Sequence, residues 1–151
     1  LMKKLVYMVV DTETATLPFA NEVANNNPEL KKKIAIARPL VYDIGWTLMY
    51  RDGTVFEKKQ FLITETFSVP SVFNTAYYAS KRPLYLAMME RGEIECLPWA
   101  KVMAALKEAG YEGEFNFELQ PEKVPHAASM ELYEQYSVEI GKYLIDLFEK
   151  A

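Results

Sequence analysis

"PLVYDIGWTLMY", residues 39–50, runs through "RDG", 51–53, into "TVFEKKQFLIT", 54–64, and the reading of this stretch decides the fold. Apolar and polar residues alternate on both sides of the triplet, the pattern of half-buried strands, and Asp52-Gly53 is a turn signal between them. An antiparallel hairpin is therefore expected. Toward the N-terminus, "KKLVYMVV", 3–10, is a β-branched and apolar run that reads as a buried strand, so the chain opens with a three-strand meander. Between this strand and the hairpin lies "ANEVANNNPELKKKIAIAR", 20–38. Its asparagine cluster, Pro28 and lysine run predict a long loop with a short helix after Pro28. That loop is either a solvated excursion or a place for Lys31, Lys32 and Lys33 beside a phosphate backbone.

Beyond the hairpin the period changes. "SVFNTAYYASKRPLYLAMMERGE", 71–93, has helical spacing interrupted by Pro83, so two short helices are expected. "LPWAKVMAALKEAG", 97–110, predicts a helix with Pro98 in its first turn and Gly110 as its stop. "YEGEFNFELQ" alternates through Phe115, Phe117 and Leu119 and reads as a fourth strand. "ASMELYEQYSVEIGKYLIDLFEKA" predicts a long closing helix, with Ser129 as N-cap and Leu132, Tyr136, Ile140 and Leu144 in its apolar stripe. The expected fold class is α/β with one domain over 1–151: meander, helices, a fourth strand parallel to the first, and a C-terminal helix.

Composition sets the outer bounds. The chain has 151 residues, half of them hydrophobic and a quarter charged, as in an ordinary globular domain able to bury its own core. No apolar run approaches the roughly 20 residues of a membrane span, and "LMKKLVYMVV" lacks the small-residue cleavage site of a signal peptide. No membrane partner is expected, and the default compartment is the cytoplasm. Cys96 is the single cysteine and His126 the single histidine, which excludes an internal disulfide and argues on donor count against structural zinc. With a net charge of −4 there is no overall positive field, so nucleic acid would have to be met by a local patch or through metal ions.

The chemistry-bearing stretch is "VYMVVDTETATLP", 6–18. Asp11 and Glu13, two apart on a strand, point the same way at an edge where α/β proteins bind ligands. Hard carboxylate oxygens in that arrangement suit Mg²⁺ or Mn²⁺, which take one or two carboxylates plus water and substrate oxygens. The ordinary alternative is that Asp11 caps a turn and Glu13 is solvated. Tyr77 and Tyr78 beside Lys81 and Arg82 either stack and clamp a single strand or pack as helix residues. His126 is either a general base or a surface histidine. Trp46 and Trp99 read as core, and Cys96 has no activating partner in the sequence.

Three segments together, "VYMVVDTETATLP", "LVYDIGWTLMYRDGTVFEKKQFLI" and "FNTAYYASKRPLYLAMM", resemble the DnaQ-like (DEDD) 3′–5′ exonucleases, especially phage and prophage members, over about residues 3–103. The resemblance implies a ribonuclease H-like mixed sheet and divalent-cation-dependent hydrolysis of nucleic-acid phosphodiesters. A single-stranded DNA 3′ end is the implied partner. By it, Asp11 and Glu13 match the first motif as catalytic metal ligands, and the backbone at Thr14 and Ala15 would lie against the terminal nucleotide. The second and third motifs are not intact. "EFNFELQ" offers Asn116 and Glu118, and "HAASME" offers His126 and Glu131 at the spacing of the third motif with Glu in place of Asp. Glu118, on a strand beside the first, is the candidate third metal ligand.

From Leu97 onward, "LPWAKVMAALKEAGYEGEFNFELQPE" and "YSVEIGKYLIDLFEKA" are similar to the C-terminal end of the sugar-phosphate isomerase/epimerase family. Those xylose-isomerase-like barrels need about 250 residues, more than this chain has. The chain thus looks composite, with a junction near 97–104. Three function classes follow: a nuclease with an incomplete, weakly active site, a non-catalytic nucleic-acid or protein-binding domain, and a composite without evolved activity.

Overall fold

The computed structural model describes residues 6–15, 40–113 and 130–151. In chain order the elements are β1 (Val6–Thr14), β2 (Val41–Tyr50), β3 (Val55–Ile63), short helices α1 (Thr64–Phe67) and α2 (Pro70–Phe73), a 3₁₀ turn (Ala79–Lys81), α3 (Arg82–Glu90), β4 (Glu95–Leu97), α4 (Trp99–Glu108) and α5 (Met130–Lys150). The strands form one mixed sheet in the order β1-β2-β3-β4. β1, β2 and β3 are antiparallel neighbours, and β4 runs parallel to β3. The protein is therefore a mixed α/β domain, and the expected meander is its frame.

The hairpin turn closes as its residues require. Gly53 takes φ +87°, which an L side chain rarely adopts, and the Asp52 carboxylate accepts a hydrogen bond from the Thr54 amide at 2.9 Å. Ile44, Trp46 and Leu48 of β2 with Phe61 and Ile63 of β3 then form one sheet face. Trp99, Val102, Met103 and Leu106 of α4 and Ile140 and Leu144 of α5 pack on it. Two helices thus cover this face, as the 3.6-residue spacing of 97–110 and of the closing segment leads one to expect. Gly110, at φ +81°, ends α4. At its start the Glu65 carboxylate accepts from the Trp99 amide at 3.1 Å through either oxygen, so a residue of α1 caps a helix 34 positions away.

Several expectations are revised. β1 is not a buried strand: Val6, Tyr7, Val9 and Val10 are exposed, because among the described residues β1 pairs on one side only. Pro83 does not break a helix but sits in the first turn of α3, where its missing N–H costs nothing. Pro98 occupies the N-cap position of α4 rather than its first turn. β4 and α1 have no counterpart in the sequence reading. The loop of 20–38, the strand expected over 113–119 and the Ser129 cap lie outside the described residues, apart from Gly113.

Among the described residues the opposite face is covered at one end only. There Leu62 packs with Phe67, Phe73, Ala76, Tyr85, Ile94, Ala15 and Tyr42. Tyr42 reaches this face through a β-bulge. Glu13 pairs with Asp43 and Thr14 with Val41, leaving Tyr42 as the extra residue. Consequently Val41 packs with the α4–α5 side and Tyr42 with the other. Asp43, paired directly with Leu62, shares the face of Tyr42.

Candidate functional site

The site is built on two rows of this second face. One row runs Glu13–Asp43–Leu62–Cys96 across all four strands, and the next runs Asp11–Gly45–Gln60 across three. Alternation along β1 puts Asp11 and Glu13 on the same face, and directly paired residues place Glu13 and Asp43 with Cβ atoms about 5 Å apart. Three carboxylates thus share one end of the sheet. Asp11 is exposed, Glu13 partly exposed, and Asp43 buried at 7 % relative exposure.

Asp43 carries a carboxyl into the interior with no cation bonded to it among the described residues. Gln60 Nε2 donates to both of its oxygens, at 3.0 and 2.9 Å, and the Tyr85 hydroxyl supports it from α3. Burial nonetheless pushes its carboxyl above the usual range, those donors offset part of the rise, and the Asp11 charge adds to it. Glu13 is raised as well, first by burial and then by Asp11 and Asp43, with Lys81 pulling the other way. A carboxylate directly opposite a carboxylate is unfavourable in a sheet. The cluster therefore carries excess negative charge.

Above it stand the tyrosines. Tyr42 is wholly buried, edge-on to Phe73 at 4.9 Å and to Tyr85 at 6.0 Å. Burial first, then the neighbouring Tyr85 hydroxyl, and last the Glu13 and Asp43 charges hold its proton on. Among the described residues Tyr85 is its neighbour, and none meets the hydroxyl with full hydrogen-bond geometry.

Lys81, at the end of the 3₁₀ turn, places Nζ 3.9 Å from the centre of the Tyr78 ring. Tyr78 meets Tyr77 edge-to-face at 4.8 Å, and Tyr77 is 89 % exposed. Tyr77 is thus not a packed helix residue. Arg82 is committed elsewhere: Nη1 donates to the Phe67 carbonyl at 2.8 Å and the guanidinium lies over the Phe67 and Phe73 rings. Among the described residues this leaves Lys81, rather than the Lys81–Arg82 pair, as the cation facing Glu13.

Of the residues singled out in the sequence, the structure brings together Asp11, Glu13 and Lys81, and sets Tyr77 against Tyr78, the ring that Lys81 covers. Thr14 is exposed at the end of β1, while Ala15 is buried and its amide donates to the Leu40 carbonyl at 2.8 Å. Glu118 and His126 lie outside the described residues. Asp43, Gln60, Tyr42 and Tyr85 were missed. The available signal was a lone Asp in the apolar alternation of "LVYDIGW". Cys96 Sγ lies 3.5 Å from Thr64 Oγ1 and has no basic neighbour among its contacts.

Among the described residues no group of three or more His, Cys, Asp or Glu side chains closes around a point where a metal ion would sit. The donor chemistry fits one hard cation through Asp11 and Glu13, with water and substrate oxygens completing its shell. No helix among the described residues is long and apolar enough to cross a membrane. No family model matches the chain, and no curated protein or solved structure matches it. What is established is a mixed α/β domain with an acidic, tyrosine-roofed cluster at one end of its sheet.

Proposed function

We propose that this chain is a divalent-cation-dependent domain of 3′–5′ exonuclease type, built on a ribonuclease H-like sheet and acting weakly on single-stranded nucleic-acid ends. The observation that carries the reading is that Lys81 lies close enough to Glu13 to act on its carboxyl, with its Nζ over the Tyr78 ring that the exposed Tyr77 meets, while Asp11 shares the sheet face of Glu13. A nucleotide offers matching groups: an aromatic base for Tyr77, a phosphate for Lys81, and phosphoryl oxygens that can share a cation with the carboxylates. The exonuclease resemblance of the first hundred residues and the antiparallel meander favour the same reading.

Mg²⁺ or Mn²⁺, when bound there, supplies Lewis acidity toward a phosphoryl oxygen. Asp11 and Glu13 hold it, Lys81 balances charge, and Tyr77 orients the base. With two carboxylates available to the ion, where a two-ion hydrolase presents more, transition-state stabilisation is weak and turnover slow. A second reading, strand binding without hydrolysis, is favoured by that same shortage. End-labelled single-stranded DNA with Mn²⁺ separates them: slow, Asp11-dependent shortening from the 3′ end supports the hydrolase, and binding without shortening supports the second. Neither outcome leaves both readings discarded.

A further inference from the structure

Resting on the single-strand reading above, we propose that Tyr78 is the positioning residue of that site: it touches neither base nor phosphate, and its ring holds Tyr77 and Lys81 so that one unpaired nucleotide reaches both. The three side chains meet at one ring. Lys81 Nζ stands 3.9 Å from the centre of the Tyr78 ring, and the Tyr77 ring meets Tyr78 nearly at right angles with 4.8 Å between centres. Exposure divides their roles. Tyr77 is 89 % exposed, so its contact with Tyr78 hides little of the ring and a base can still stack on it. Tyr78 is half-buried, and the ammonium of Lys81 lies over it.

An exposed lysine ordinarily samples many rotamers, and ordering it on a ligand is a cost of binding. The Tyr78 ring lowers that cost by attracting the ammonium beforehand. Backbone bonds fix the ring in turn. The amide of buried Ala76 donates to the Phe73 carbonyl at 2.9 Å, that of Ala79 to the Ala76 carbonyl at 3.1 Å, and that of Lys81 to the Tyr78 carbonyl at 2.9 Å. Beyond Lys81, Arg82 is tied by Nη1 to the Phe67 carbonyl. Tyr77, Tyr78 and Lys81 are therefore carried on one short turn anchored at both ends. Held over Tyr78, Lys81 is also close enough to Glu13 to favour its charged form, which joins this unit to the end of β1.

Fluorescence anisotropy with a labelled oligothymidine, without divalent ions and well below each variant's melting temperature, measures the affinity of full chains. Tyr78→Leu is expected to weaken binding about threefold, the scale of an exposed cation–π contact, and Tyr78→Phe, which keeps the ring, to bind as wild type. In a chain that already carries Tyr77→Ala and Lys81→Ala, adding Tyr78→Leu is expected to change nothing further, because Tyr78 acts through those two side chains. A second readout is independent of binding. The proton signal of the Lys81 ε-methylene, assigned by its loss in Lys81→Ala, is expected upfield in wild type and Tyr78→Phe and at the ordinary lysine position in Tyr78→Leu. Wild-type affinity in Tyr78→Leu overturns the proposal. So does an equal loss in Tyr78→Phe, or an undiminished loss once Tyr77 and Lys81 are gone, since Tyr78 would then touch the strand itself. Unchanged affinity in both Tyr77→Ala and Lys81→Ala instead discards the single-strand reading, and this inference with it.

Discussion

Glu13 and Asp43 face one another across β1 and β2, and among the described residues Lys81 is the cation that offsets the charge of Glu13. A sheet optimised for stability alone would place opposite charges or apolar side chains at such a pair. The arrangement makes sense where a cation, a proton or a polar ligand spends time.

The acidity of Asp43 gives a stability prediction whose sign is fixed. An acid that binds its proton more tightly in the folded chain favours folding below its unfolded pKa and loses that advantage as pH rises through the folded value. Wild type is therefore expected to fall below Asp43→Asn in melting temperature from about pH 4 upward, the gap growing to neutral pH. Thermal melts at stepped pH without divalent ions measure it. A gap that is widest at pH 4 would contradict the assigned cause.

Turnover should be slow even where the cation binds. Mn²⁺ affinity in the millimolar rather than micromolar range is expected, with Asp11→Ala removing both binding and any hydrolysis. Isothermal titration and digestion of end-labelled strands check the two parts separately.

Tyr77→Ala should weaken single-strand binding by about 1 kcal/mol or more, the scale of one base stacked on an aromatic ring. Because the residue is 89 % exposed, the melting temperature should be unchanged. Fluorescence anisotropy with a labelled oligothymidine provides the measurement, and an equal affinity in the variant would remove Tyr77 from the site.

Two substitutions probe the packing that carries the site. Trp99→Ala, at a position 1 % exposed between α4 and the sheet, should cost about 4 kcal/mol. Glu65→Ala, which removes the acceptor from the Trp99 amide, should cost about 1 kcal/mol. Urea unfolding compares both with wild type.

The hairpin was legible because alternation, Asp52 and Gly53 all specify one local geometry. α4 and α5 were legible because Trp99, Val102, Leu106 and Ile140, Leu144 recur at helical spacing. β4 was not, since three residues are too few to show a period and its pairing with β3 depends on a contact more than 30 residues away. Asp11 and Glu13 could be picked out as neighbours on one strand. Asp43 could not be joined to them, because its approach depends on strand register, and Tyr42's position depends on a bulge that strict alternation hides.

Tyr42 can also be viewed as an insertion. Take it out, and Val41, Asp43 and Ile44 keep the faces they already occupy, now in unbroken alternation along β2. One codon thus separates a plain strand from one that roofs its own acidic cluster. A lineage could acquire or discard that roof in a single step without re-registering the sheet. Deleting Tyr42, as distinct from replacing it, is the change that would produce the strand without its bulge.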